Sequence, residues 1–213
     1  MQPLEIVQFL AELSINNDKA WFDTQRERYK RLRLEFVAFV REVLERLTPL
    51  DPALGGVSAE QALFRIHRDT RFSHNKNPYK TQFSASLSPQ GRAGEGPVYY
   101  LHLDFQGELL TAGGHYAPEK GQLERVRRFM VAHPASLERL IGEVGPLEGE
   151  RLKKLPRGFE KGGPHPDALR LKQFLRSSRV NLFDAPDTNP LERVVGEFSR
   201  FVPLVEWLRR AGA

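Results

Sequence analysis

There is no cysteine in this chain of 213 residues. Disulfides, thiol nucleophiles and cysteine-ligated zinc are excluded, and the composition fits a reducing cytoplasm. Long apolar runs are missing as well. No stretch approaches the ~20 residues that a membrane span needs. The opening "MQPLEIVQFL" has no positive lead and no long apolar run, so it is not expected to be a signal peptide. These absences predict a soluble, cytoplasmic chain with no membrane partner. Familiar chemical motifs are also absent: GxGxxG after a strand, GxxxxGK[ST], HExxH and GxSxG. The six histidines show no metal-like pairing. No metal motif and no nucleotide-cofactor motif is recognised.

What the chain does have is positive charge in two places. Arg65 to Lys80 holds five Lys/Arg and one acid, and Arg151 to Arg179 holds nine and two. The two segments carry +11 between them against a chain total of +5, which leaves the remainder at −6. Segregated charge can build a positive field over one surface. It suits phosphate-bearing or otherwise anionic partners, with simple solubility as the alternative.

The length suits a single domain over 1–213, large enough for a core without staples. Pro3 opens a short predicted helix at 3–13. Asn17 or Asp18 can cap a long one near 18–48, because either side chain accepts from first-turn amides. Tyr29, Leu32, Phe36, Val40, Val43 and Leu47 recur at steps of three and four, which predicts a buried helical stripe. The period then changes. Phe83, Ala85 and Leu87 alternate with polar residues, and Tyr99, Leu101, Leu103 and Phe105 oppose His102 and Asp104. An antiparallel meander over about 61–115 is the economical reading. Helices return from Pro118, with another near 166–177 and a last one expected to break near Pro203. The fold class predicted is α+β, a small antiparallel sheet packed against the long N-terminal helix and the C-terminal helices.

Three segments could carry chemistry. In "RIHRDTRFSHNKNPYK", Arg65, Arg68 and Arg71 supply planar charged forks, and Lys76 and Lys80 mobile point charges. Asp69 could orient an arginine, ligate a metal or act as a base. Tyr79 could bond an anion or stack on a base, and Phe72 could stack likewise. In "AGGHYAPE", Gly113 and Gly114 permit close backbone approaches, and His115 and Tyr116 precede a helix whose amides could receive an anion. The third segment, Leu152 to Phe174, offers Lys153, Lys154 and His165 in a loop rich in Gly and Pro. A solvated loop is the alternative for the two basic segments, and an ordinary sheet-to-helix turn for "AGGHYAPE".

These same segments resemble a known family. "FLAELSINNDKAWFDTQRERY", "FRIHRDTRFSHNKNPYKTQF", "GGHYAP" and "LKKLPRGF…HPDALRLKQF" are similar to signature stretches of domain of unknown function 2461, over nearly the whole length. The resemblance implies no established activity and names no catalytic residue. It implies that the stretches selected on charge and turn chemistry are the family's own signature.

Three functions are compatible with this reading. One is a cytoplasmic protein or enzyme acting on a phosphorylated small molecule or nucleotide, with Asp69 or His115 as proton-transfer candidates. Another is a nucleic-acid module laying both basic segments along a phosphate backbone. A third is a module docking on an acidic protein surface. The ligand set expected is Arg65, Arg68, Arg71, Lys76, Tyr79, Lys80, Tyr116, Lys153, Lys154 and His165. In it Asp69 positions an arginine, and the two basic segments line one cleft.

Overall fold

The computed structural model describes residues 1–71, 74–160 and 162–213. Its first helix, α1 (Pro3–Ile15), buries Ile6, Phe9, Leu10 and Leu13 on one side. The Asp18 carboxylate accepts from the Trp21 amide at 3.0 Å and starts α2 (Lys19–Thr24). After a break at Gln25 comes α3 (Arg26–Leu47). The one long helix expected near 18–48 is therefore two. Its apolar stripe survives, with Leu32, Phe36, Val40, Val43 and Leu47 all buried. The short α4 (Ala59–Ala62) carries a capping box between Ser58 and Gln61.

A four-stranded antiparallel sheet follows, in the order β1 (Gln82–Leu87), β2 (Val98–Asp104), β3 (Glu108–His115), β4 (Phe174–Asn181). Between β3 and β4 lie α5 (Lys120–Ala132), α6 (Pro134–Val144) and the single turn α7 (Pro166–Leu169). The chain ends in α8 (Pro190–Gly212). Helices and a small antiparallel sheet make this an α+β fold.

Alternation gives the sheet two unlike faces. Tyr99, Leu101 and Leu103 are wholly buried beneath the helices, and Tyr99 meets Phe198 of α8 at 5.3 Å. Val98, Tyr100, His102 and Asp104 point the other way and stay half-buried. Gly113 sits on the helix face, where a Cβ would lie 2.5 Å from that of Phe201. Its bare backbone lets α8 approach. A second apolar cluster joins Val126, Met130, Leu137, Phe174, Leu204 and Trp207 at the far end of α8.

Three sequence expectations are corrected. Residues 166–177 are not one helix: α7 stops at Leu169 and β4 takes over at Phe174. The helix after Pro118 begins at Lys120. The last helix passes Pro203 unbroken, because Phe201, Leu204 and Val205 are buried on both sides of it. That packing offsets the one backbone bond proline removes. Among the described residues, no helix is long and apolar enough to cross a membrane.

Candidate functional site

The first basic segment extends the sheet beyond β1. Leu63 bridges to Ala85, the Phe64 amide donates to the Ser84 carbonyl at 3.0 Å, and that of Lys80 to Ile66 at 2.8 Å. The Arg68 amide donates to Pro78, also at 2.8 Å. Residues 64–68 and 78–84 thus run antiparallel, which keeps Arg65, Arg68 and Lys80 together. The Asn17 side chain locks this arrangement from α2's doorstep. Its amide donates to the Tyr79 carbonyl at 3.1 Å and its oxygen accepts from the Tyr79 amide at 3.0 Å.

Lys80 is half-buried, with its ammonium over the Phe64 ring at 5.1 Å. Burial pushes its pKa down, and Arg65, Arg68 and Arg92 push it further. Arg92, from the turn after β1, donates to the carbonyls of Gln61 and Leu63 at 3.4 and 3.2 Å. Three arginines therefore act on the one lysine that lies over the ring. Among the described residues, the Arg65, Arg68 and Lys80 side chains have no ion pair, and no carboxylate perturbs Lys80. Asp69 has a different task. It accepts from Arg71 Nε at 3.0 Å, from Nη2 at 2.7 Å and from the Arg71 amide at 3.2 Å. These bonds hold its carboxyl below the usual range, so it is already ionised and a weak proton acceptor at neutral pH.

Beside the cations, the sheet's second face carries a polar row. Gln82 Nε2 donates to the Tyr100 hydroxyl at 3.0 Å, and that oxygen lies 3.2 Å from His102 Nδ1. Ser84 stands opposite His102 in the strand register, on the same face as this phenol. His102 Nε2 stands 3.9 Å from Glu108, which pairs with Arg179 at 3.3 Å. With Gln82 donating, the phenol proton is free to go to Nδ1, which puts the imidazole proton on Nε2, toward Glu108.

Burial lowers the pKa of His102 against the opposing pull of Asp104 and Glu108, and it lowers that of His115 unopposed. Both folded-state values lie below the ordinary 6.5. Their stabilising contribution is then complete above about pH 6.5 and is lost as the pH falls through the folded values. Thermal unfolding between pH 7.5 and 5 should show a falling midpoint, and His102→Gln with His115→Gln should flatten that slope. An unchanged slope in the double variant would refute the assignment.

Several expected ligands lie elsewhere. Tyr79 is a core residue, only 4 % exposed, stacked on Phe22 at 4.0 Å. Lys76 donates to the Thr70 carbonyl at 3.1 Å and ties the loop. His115 shares the helix-covered face with Gly113, opposite the Lys80 cluster. Tyr116 is exposed and near enough to Tyr100 to perturb it. At the start of α5 the Glu119 amide donates to Gln122 Oε1 at 2.8 Å. Phe72 falls outside the described residues.

The second basic segment does not join the first. It runs into β4 itself, with a Glu148–Leu175 bridge to that strand and an Arg151–Leu171 bridge just before it, at the edge of the sheet opposite β1. Three strand spacings, on the order of 15 Å, separate the two edges. Much of its charge is spent locally: Arg170 pairs with Asp167, Lys172 with Glu150, Arg176 with Glu148 and Arg179 with Glu108. Lys153 and Lys154 are exposed, and His165 precedes α7. The single cleft expected from sequence is replaced by one compact cluster at the β1 edge. Arg92, Phe64, Gln82 and Tyr100 belong to its surroundings and were missed, because only strand register brings them there.

The architecture is thus an α+β protein with helices on one sheet face and a cationic, aromatic-flanked edge on the other. A family model described as "Conserved hypothetical protein (DUF2461)" matches residues 5–207, and the chain belongs to that family. No curated protein and no solved structure matches it.

Proposed function

We propose that this is a cytoplasmic anion-binding protein whose ligand is a phosphorylated small molecule or nucleotide, held at the β1 edge by Arg65, Arg68, Lys80 and Arg92. The observation that carries this reading is Lys80: half-buried against Phe64, with three arginines around it and no carboxylate acting on it. Like charges held together cost free energy that a bound anion would return. Arg71, whose Nε and Nη2 are engaged by Asp69, lies in the same loop.

Inorganic phosphate and adenosine 5′-monophosphate can be titrated by calorimetry at low salt. Lys80→Ala should weaken both about tenfold or more, as expected for losing a charged hydrogen bond of roughly 1.5–3 kcal/mol. Raising the ionic strength should weaken wild-type binding in the same direction. Equal affinity in the variant would overturn the site. A single-stranded oligonucleotide binding far more tightly than the mononucleotide would favour the nucleic-acid reading instead.

A further inference from the structure

Among the described residues, the polar row beside the cations bonds mainly within itself. Gln82, Ser84, Tyr100 and His102 lie on the sheet face that α8 does not cover, and all but Ser84 are half-buried. Strand register brings them together, with Ser84 opposite His102 and Gln82 opposite Asp104. The Tyr100 oxygen takes one N–H of Gln82 at 3.0 Å and so fixes the amide plane. That leaves the amide's carbonyl oxygen and its second N–H without a hydrogen bond among the described residues. Such a donor–acceptor pair matches a hydroxyl or a vicinal diol, which offers the complementary pair. The Phe64 ring lies 5.1 Å from the Lys80 ammonium and 6.2 Å from the ring of Tyr100, whose hydroxyl holds this amide. A cation, an apolar ring and a neutral hydrogen-bonding group are therefore neighbours at one edge.

We infer that the ligand is a sugar-borne phosphate: the phosphoryl group meets Lys80 and its arginines, the carbon skeleton lies on Phe64, and sugar hydroxyls bond the Gln82 amide. This deepens the anion-binding reading and rests on it. Gln82 is the contacting residue, and Tyr100 is a positioning residue that holds it. A bare phosphate would use the cationic half alone. A ribose 5-phosphate and a nucleotide share the chemistry named, so both fit.

Calorimetry at one low ionic strength, on the full chain, separates the possibilities. The probes are inorganic phosphate, ribose 5-phosphate and adenosine 5′-monophosphate, each against wild type, Gln82→Met, Tyr100→Phe and Lys80→Ala. Wild type should bind the two sugar phosphates more tightly than inorganic phosphate. Gln82→Met and Tyr100→Phe should each weaken the sugar phosphates about three- to tenfold, as for loss of neutral hydrogen bonds, and leave inorganic phosphate unchanged. Lys80→Ala should weaken all three. The two neutral-row variants guard each other against a folding defect, and unchanged phosphate binding is the readout a merely structural loss would not preserve. Tighter binding of the nucleotide than of ribose 5-phosphate would identify a nucleoside source; equal binding would identify the sugar phosphate. If neither neutral-row variant discriminates between phosphate and sugar phosphate, the inference is overturned while the anion site stands. If wild type binds none of the probes, the anion reading fails first.

Discussion

Replacing Asp51 with alanine should destabilise the protein by about 3–5 kcal/mol, the range for breaking a buried ion pair by removing one partner. Asp51 is only 1 % exposed. One of its oxygens accepts from Arg209 Nη1 of α8 at 2.7 Å, and the other from the Tyr99 hydroxyl of β2 at 2.8 Å. The same carboxylate caps the short turn at Pro52 through the Ala53 amide, 3.3 Å away. Three distant parts of the chain therefore meet on one side chain. Burial and the adjacent carboxylate push the Tyr99 phenol far up, so it stays protonated and donating. Arg209 is already short of partners, since its Nη2 is buried with no hydrogen bond. Without Asp51 the half-buried guanidinium would lose its counter-charge and the phenol its acceptor. The thermal midpoint should fall by roughly 10 °C for a chain of this size. Asp51→Asn keeps the shape and one acceptor and should lose less. Chemical denaturation of both variants checks this, and a loss under about 1 kcal/mol in the alanine variant would show the network to be dispensable.

None of those three contacts was visible in the chain's order of residues, and the pattern of what was visible is physical. Periodicity reported the elements whose two faces differ most. The α3 stripe and the alternation of β2 both turn a buried side against a wet one. The strand that was missed, β4, reads "FLRSSRVN" and is half-buried along most of its length. Its arginines and serines are held by Pro146, Glu108, Glu148 and Arg193, so neither face shows a clean apolar signal. Tyr79 misled for a related reason. It sits among exposed cations in the chain, yet its ring is claimed by Phe22 and its backbone by Asn17. Net charge counted along a segment also hides the acids that folding brings in. Glu108, Glu148 and Glu150 neutralise the second basic segment from outside it. The first segment has Asp69, which is engaged by Arg71, and among the described residues Arg65, Arg68 and Lys80 form no ion pair.

Gly114→Ala should be among the most damaging single-methyl additions in the protein, with a loss of about 2–6 kcal/mol. Two costs act at once. The residue has φ of +128°, a backbone conformation that L side chains rarely adopt; holding alanine there costs on the order of 1–3 kcal/mol. An added Cβ would also lie 2.0 Å from the Phe174 carbonyl oxygen and 3.0 Å from its carbon. Those are backbone atoms of β4, paired to β3 in this register, and they cannot swing aside as a side-chain tip would. Relief requires the two strands to part, which would loosen Phe174, a wholly buried member of the second apolar cluster. Overpacking a well-filled region adds typically 1–3 kcal/mol more. Gly121→Ala on α5 makes the matching control. Its nearest neighbour would be an arginine tip at 3.7 Å, and its φ is not in the forbidden region. Alanine also favours helix, so that variant should be neutral or slightly stabilising. Denaturant melts of the two should therefore differ in sign or by several kcal/mol. Hydrogen exchange should show early opening along 108–115 and 174–181 in the Gly114 variant. Equal melts for both glycine variants would mean that β3 and β4 tolerate separation at this point, and the close approach would then be a convenience of the fold and not a requirement.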